Sequence, residues 1–471
     1  MENKIMLQTF TWEMPNDGKL WQRLAKEAPA LSALGIGYLW IPPSTKATQQ
    51  NSTGYDIYDL YDLGEFDQKQ TVRTRYGTKK ELIAMVETCH EHGIKVMADV
   101  VLNHKAGADE TECFKVVKVN PDNRLQVISD PFDIEGWTYF DFPGRANAYS
   151  DFKWNFNHFT AVDRDNRTGN EGIYRILGDD KNFSNEVDSE NSNFDYIMYA
   201  DINLKHPDVY HELDRWAKWF IETTHVDGFR MDAVKHMHRD FVKNFIENIR
   251  ANYGDDFFTV GEYWSGDINR LESFLKETTY EFSIFDVSLH MAFVSAGLQG
   301  NAYNLSKILD NSLVKRAPYQ SVTFVDNHDS EREGAVAPWF RPHAYALIML
   351  RQDGYPCLFL RDYEDDSIVG KKINAIVALR RDCTYGDETD YFDHPNVIGW
   401  VRHGDESHAA CAVLISNGDS GYKEMVIGSD YAGRSFHNAL RKEDNAVIIN
   451  DEGVGRFTVP PGDVAVWIID V

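Results

Sequence analysis

Long hydrophobic runs are missing from this sequence. The longest fall well short of the ~20 apolar residues that a bilayer crossing needs, which argues against a membrane-spanning helix. Positive charge is scarce too: 48 Lys and Arg stand against 74 Asp and Glu, a formal net charge of −26. That balance excludes nucleic acid and anionic membranes as partners, because both are bound through clustered cations. It suits a neutral ligand, whose approach needs no steering. The five cysteines (Cys89, Cys113, Cys357, Cys383, Cys411) are odd in number, widely spread and without a C-x-x-C pair. No disulfide framework is expected, and a reducing compartment is the simplest setting. The start of the chain lacks a basic segment followed by an apolar stretch and a cleavage site: Met1, Glu2 and Asn3 lead straight into Ile5–Phe10, which reads as a strand. The expected location is therefore the cytoplasm.

What the chain has is length and rings. Its 471 residues exceed the ~250 of one barrel-sized domain. Aromatics make up 13%, and flat rings are natural platforms for the apolar faces of sugars as well as ordinary core material.

Two kinds of segment alternate from the start. Short apolar runs fit for buried strands occur at Ile5–Phe10, Ile36–Ile41 and Ile94–Val101. Helices are expected between them at Leu20–Leu34 and Glu81–His92, the latter stopped by Gly93. The rhythm breaks between about Lys105 and Ala200, a stretch rich in Asn, Asp, Gly and aromatics. A segment of that size needs a fold of its own and reads as an inserted domain. The alternation then resumes with the helix Pro207–Thr224, whose Pro suits the first turn and whose Val209, Leu213, Trp216, Phe220 and Ile221 form one stripe. Further strands are expected at Val226–Met231, Phe257–Val260, Ser283–Val287, Ser321–Val325 and Pro356–Leu360, with helices at Arg239–Tyr253, Arg341–Gln352 and Lys371–Arg381. Eight strands, each followed by a helix or an insertion, close most naturally as an α/β fold of the (β/α)8 TIM barrel type. Past Asp382 the texture becomes short strands between Gly, Asn and Asp turns, an all-β sandwich. The expected division is barrel 1–104, inserted domain 105–200, barrel 201–382 and C-terminal β domain 383–471.

In such a barrel the working residues sit where strands end. The third expected strand ends in Asp99-Val-Val-Leu-Asn103-His104, and the fourth in Arg230-Met-Asp232 with Lys235 and His236 beyond. The fifth ends in Gly261-Glu262-Tyr263-Trp264, the seventh in Asp326-Asn327-His328-Asp329. Arg230 and Asp232 lie two residues apart on one face of a strand. By themselves they fit either a surface ion pair on an edge strand or a buried, functional pair. Asp232, Glu262 and Asp329 then converge on one mouth. A pair of carboxyls, one ionised and one protonated, is what glycosidic cleavage needs. Arg230 is expected to lower the pKa of Asp232, and apolar neighbours to raise that of Glu262.

DVVLNH (Asp99–His104), GFRMDAVKH (Gly228–His236), GEYW (Gly261–Trp264) and FVDNHD (Phe324–Asp329) resemble, in order, the four signature regions of the α-amylase family, glycoside hydrolase family 13. GYDIYDLYDLGEFDQ (Gly54–Gln68), DYIMYADINLKHPDV (Asp195–Val209) and DYFDHPNVIGW (Asp390–Trp400) resemble the bacterial liquefying-type members, so the likeness covers nearly the whole chain. It implies an endo-acting, retaining hydrolase of α-1,4-glucosidic bonds in starch, glycogen or maltodextrins. Asp232 would be the nucleophile that forms the glycosyl-enzyme, Glu262 the acid and then base, and Asp329 the stabiliser of the transition state. Arg230 would orient Asp232, His104 and His328 would donate to sugar hydroxyls, and Tyr55 would stack under the ring. Lys235 and His236 would flank the leaving group. An α-1,4-glucanotransferase using the same intermediate is the alternative.

The resemblance also implies a structural Ca²⁺ held by Asn103, Asp195, Asp201 and the backbone carbonyl of His236, tying the inserted domain to the barrel; hard oxygens are what Ca²⁺ takes. Further cations in relatives use positions matching Asp163, Ser184 and Asn203, of which just one carries a carboxylate here. His236 and His238 form an H-x-H, but no carboxylate or cysteine at a suitable sequence spacing completes a zinc set. Leu360-Arg361 stands where relatives carry Tyr-Gly, and the loop after Asp329 is short.

Overall fold

The computed structural model describes residues 3–469. Eight parallel strands close into a barrel: β1 (Ile5–Gln8), β2 (Ile36–Ile41), β3 (Lys95–Val100), β4 (Gly228–Met231), β5 (Phe258–Gly261), β6 (Ser283–Phe285), β7 (Ser321–Phe324) and β8 (Tyr355–Phe359). Each pairs with its neighbours in sequence order, and β8 pairs back on β1. The edge-strand reading of Val226–His236 is removed by this closure, since β4 lies between β3 and β5. Its register sets Arg230 opposite Asp99 on one side and Val260 on the other.

Local chemistry explains where the helices start and stop. Helix α1 (Leu20–Leu34) ends on Gly35 at φ 95°, a left-handed conformation that glycine adopts without penalty. Helix α2 (Lys79–Glu91) opens with a capping box in which Thr78 and Glu81 satisfy each other's backbone donors. Helix α3 (Pro207–Thr224) buries the expected stripe, and its Trp216 donates to the carbonyl of Leu60 at 2.9 Å. Helix α4 (Arg239–Tyr253) packs on α3.

Besides the four-residue helices Leu313–Arg316 and Leu360–Tyr363, two longer helices were not legible in the periodicity. Ile268–Glu277 is short, and Val287–Gln299 is apolar around most of its circumference, so it reads as continuing the strand before it. Asp286 decides the matter by accepting from the N–H of Leu289 and capping a helix at that point.

Between β3 and β4 the chain builds an antiparallel sheet. Glu110–Asn120 pairs with Phe132–Tyr139 on one side and Glu171–Ile176 on the other. The short strands His104–Lys105 and Ala200–Ile202 pair where the segment leaves and rejoins the barrel. Past α-helix Ile368–Cys383, a six-stranded sheet and the ribbon Gly421–Val426/Val454–Val459 enclose Val401, Leu414, Met425, Phe436, Phe457 and Trp467. Glu388–Tyr391, Ser435–Asn438 and Val454–Val459 join the strands expected there. All five cysteines are free thiols.

Candidate active site

Arg230 is fully buried at the end of β4 and is shared by three carboxyls. Its Nη1 donates to Asp99 Oδ1 at 2.9 Å and to Asp232 Oδ1 at 2.7 Å, while Nη2 lies 3.1 Å from Glu262 Oε2. Asp99 is satisfied on its other oxygen by Trp40 Nε1 at 3.1 Å and Tyr55 OH at 2.8 Å. Immediately after Asp232 the backbone turns through Ala233 at φ 54°, a left-handed conformation that a Cβ-bearing residue rarely adopts. The turn aims the N–H of Ala233 at Glu262 Oε2, 3.2 Å away. Strained backbone, buried guanidinium and strand register thus hold Asp232 and Glu262 on one rigid frame.

The third carboxyl comes from the loop after β7. The side chain of Asp329 is 42% exposed and its Oδ2 lies 3.4 Å from His328 Nε2. Gln8 Nε2 donates to His328 Nδ1 at 2.9 Å, which leaves Nε2–H on the cleft side. The His328 ring stacks on Tyr55 with centroids 5.2 Å apart, so one face of Tyr55 is occupied by protein. Arg361 holds this loop from beneath: its Nη2 donates to Asp326 Oδ2 at 2.7 Å and Asp362 Oδ1 at 2.8 Å. The Leu-Arg departure after β8 is therefore a structural brace.

Burial dominates the electrostatics. It pushes Asp99 up to about 7 and, with Glu262 and Asp232 adding repulsion, Asp329 up to about 8. Glu262 is raised by burial and by neighbouring Asp232. Asp232 is raised as well, which corrects the expectation that Arg230 holds it low. The guanidinium does pull its pKa down, but one cation shared among several buried acids does not outweigh desolvation. The histidines move the other way: burial takes His104 down to about 4, His236 to about 3 and His328 well below its usual value. All three are neutral at pH 7.

That neutrality fixes the tautomer of His104. Its Nε2 faces the carbonyl of Tyr55 at 2.8 Å and must donate to it. Nδ1 is then a lone-pair acceptor, and it is buried without a partner. Neutral His104 therefore keeps a lone pair on Nδ1, whereas neutral His328 carries its proton on Nε2. Lys235 Nζ donates to Glu190 Oε2 at 2.9 Å and the carbonyl of Trp264 at 3.1 Å. The ring of His236 is tied by Nδ1 to the carbonyl of Phe194 at 2.6 Å. Trp40 and Gln8 carry the frame but were not singled out in sequence, and Asp99, the first residue of DVVLNH, was given no role there. The strand register opposite Arg230 is the signal that would have found Asp99.

Beside this site Asp195 and Asp201 are both buried. Burial raises Asp195 to about 7, and burial together with Asp195 raises Asp201 well above its usual value. Asp201 accepts from Thr160 Oγ1, and Asn103 Nδ2 lies 3.5 Å from its Oδ1. Two buried, mutually repelling carboxyls beside a carboxamide are the chemistry of a cation site. The positions expected for further cations are engaged within the protein. Asp163 Oδ2 accepts from the N–H of Tyr199, Ser184 Oγ bonds His238 Nδ1, and Asn203 Nδ2 donates to the carbonyl of Asp180.

A family model described as the alpha amylase catalytic domain matches residues 22–359, and one for the alpha-amylase C-terminal domain matches residues 411–468. The chain belongs to the α-amylase family. An alpha-amylase of Geobacillus stearothermophilus is 45% identical over 99% of this chain and 87% of its own length. The cytoplasmic alpha-amylase of Escherichia coli (strain K12) is 38% identical over 100% of this chain and 99% of its own. Among solved structures, an Anoxybacillus alpha-amylase superposes with a TM-score of 0.67 at 16% identity, covering 99% of this chain and 98% of its own. This α-amylase family member is a glycoside hydrolase of α-glucans, and Arg230, Asp232, Glu262 and Asp329 lie within the catalytic-domain match. Among the described residues no helix is long and apolar enough to cross a membrane.

Proposed function

We propose that the enzyme is an endo-acting, retaining hydrolase of α-1,4-glucosidic bonds, working on starch, glycogen or maltodextrins in the cytoplasm. The observation that carries this reading is the single guanidinium of Arg230 bridging Asp232 and Glu262. One cation touching both carboxyls keeps them close on one frame, as a nucleophile and an acid acting on the same bond require. Asp232 attacks the anomeric carbon while Glu262 delivers its proton to the departing glycosidic oxygen. Water then attacks the glycosyl-Asp232 ester, Glu262 takes the water's proton, and the Asp232 carboxylate is released. Asp329 holds sugar hydroxyls and stabilises the transition state. His328 donates to them and His104 accepts. Tyr55 offers its free face to the ring, with Lys235 and His236 on the leaving-group side.

Asn103, Asp195, Asp201 and the carbonyl of His236 would hold one Ca²⁺. When bound, the ion supplies the positive charge that the two buried aspartates lack, and it joins the inserted sheet to the ends of β3 and β4. The working division remains barrel 1–104 and 201–382, inserted domain 105–200 and β domain 383–471.

NMR of fresh maltoheptaose digestion tests the reading. α-Anomeric products shorter than the substrate are expected. β-Anomeric products would overturn retention, and products longer than the substrate would make it a glucanotransferase. Asp232→Asn is expected to abolish turnover while leaving the fold intact, and near-wild-type activity in that variant would remove Asp232 from its role.

A further inference from the structure

His236 is tied to the carbonyl of Phe194 and takes no part, but the fold gathers two carboxylates around His238. Glu186 arrives from the inserted segment and Asp240 from the first turn of α4. One ligand atom from each of Glu186, His238 and Asp240 lies within 4.8 Å of the others. We propose that these three residues form a metal site for a borderline divalent cation of the Zn²⁺ class, separate from the oxygen-donor site of Asn103, Asp195 and Asp201.

Three observations support it. His238 Nδ1 and Glu186 Oε2 are 3.3 Å apart. That is long for a charge-assisted hydrogen bond, but it matches the ~3.3 Å edge of a tetrahedron whose metal–ligand bonds are about 2.0–2.1 Å. Glu186 Oε2 is itself buried and has no hydrogen-bond partner, although the rest of that side chain reaches solvent. An orphaned acceptor beside an imidazole nitrogen is a position that a cation satisfies. The pairing is also held in place by the backbone. The N–H of Arg239 donates to the carbonyl of Glu186 at 3.1 Å, Arg239 Nη2 donates to the carbonyl of Val187 at 3.0 Å, and the N–H of Asp188 donates to the carbonyl of Lys235 at 2.9 Å.

Donor chemistry sets the class of ion. Two carboxylates and a neutral imidazole balance a divalent charge, and the nitrogen selects against Ca²⁺, which takes six to eight oxygens. Ser184 Oγ lies 2.9 Å from the same Nδ1, and its hydroxyl proton can rotate away and free that lone pair for the ion, which a backbone N–H cannot do. A second cluster, His158, His206 and Asp208, has comparable spacing but the wrong proton positions. Both Nδ1 atoms accept from backbone N–H groups, of Asn155 and Asp208. Each Nε2 of the neutral rings therefore carries a proton and has no lone pair to offer. A cation at Glu186, His238 and Asp240 would clip the loop of the inserted segment to α4, independently of the hydrolytic reading.

The test uses the full-length enzyme saturated with Ca²⁺, so that oxygen-donor sites are filled. Zn²⁺ titrated by calorimetry should bind with one equivalent above the Ca²⁺ load. Co²⁺ should give the intense visible absorption of a tetrahedral complex. His238→Gln and Asp240→Asn should each weaken Zn²⁺ binding about tenfold or more and remove the Co²⁺ band. His206→Gln should leave both unchanged. Equal Zn²⁺ uptake by wild type and His238→Gln would overturn the proposal, as would no uptake at all. Loss of binding in His206→Gln would move the site to the other cluster.

Discussion

Arg230 carries a positive charge to the floor of the cleft, where its side chain has no water contact. It is tolerated there because Asp99, Asp232 and Glu262 all face it. Removing it would leave several acids buried without a counter-charge. Arg230→Ala is therefore expected to lower stability by about 3–5 kcal/mol, read from urea unfolding monitored by circular dichroism. An unchanged unfolding midpoint would show that the acids neutralise themselves by taking up protons. The same residue shows where local reasoning falls short. An Arg two residues from an Asp does pull the carboxyl down, but the raised position of Asp232 follows from burial, which a list of neighbours does not contain. His104 teaches a similar lesson: the proton of its ring is placed by the carbonyl of Tyr55, a partner 49 residues away that local sequence does not reveal.

The catalytic frame depends at the level of elements on a tight strand end and a strained turn. Gly261 is the last residue of β5, directly before Glu262, and a Cβ there would come within 2.3 Å of the Phe282 ring. Gly261→Ala is expected to destabilise the fold by about 1–3 kcal/mol through overpacking and to lower kcat more than it raises KM, because Glu262 is displaced from Arg230. Wild-type kcat together with a wild-type melting temperature would show that the Phe282 ring yields freely. Legibility at this scale followed periodicity. Pro207–Thr224 was readable because its apolar stripe is clean, and its observed bounds agree. Val287–Gln299 was not, since a helix apolar around most of its circumference carries no stripe and resembles the strand before it. The β tail was legible as a class, but polar edge strands such as Glu388–Tyr391 have no apolar run to mark them.

For the whole molecule, the inserted sheet and the barrel meet at Asp195 and Asp201, and pH reports on that junction. Both pKa values are raised in the folded state, so the protonated pair contributes stability that is fully present below about pH 4. That contribution is lost as pH rises through about 7, where Asp195 ionises. A bound Ca²⁺ would cancel the loss by compensating the charges. The gap between melting temperatures with Ca²⁺ and with chelator should therefore widen from acidic to alkaline pH across this window. Scanning calorimetry in matched buffers checks it. A gap that is constant, or narrows with pH, would place the ion away from these aspartates.

The barrel, the all-β tail and the order of the signature segments were determined by the sequence alone. Apolar periodicity records which surface each strand and helix must bury, and that is a local property of the chain. Tertiary structure decided what depends on distant residues meeting. Asp99 lies far along the chain from Arg230 and beside it in the barrel, and burial raises Asp99, Asp232 and Glu262 together. Glu186 reaches His238 solely because the inserted segment folds back on α4. Spacing along a chain limits which neighbours are possible, while desolvation and closure in three dimensions decide how those neighbours behave.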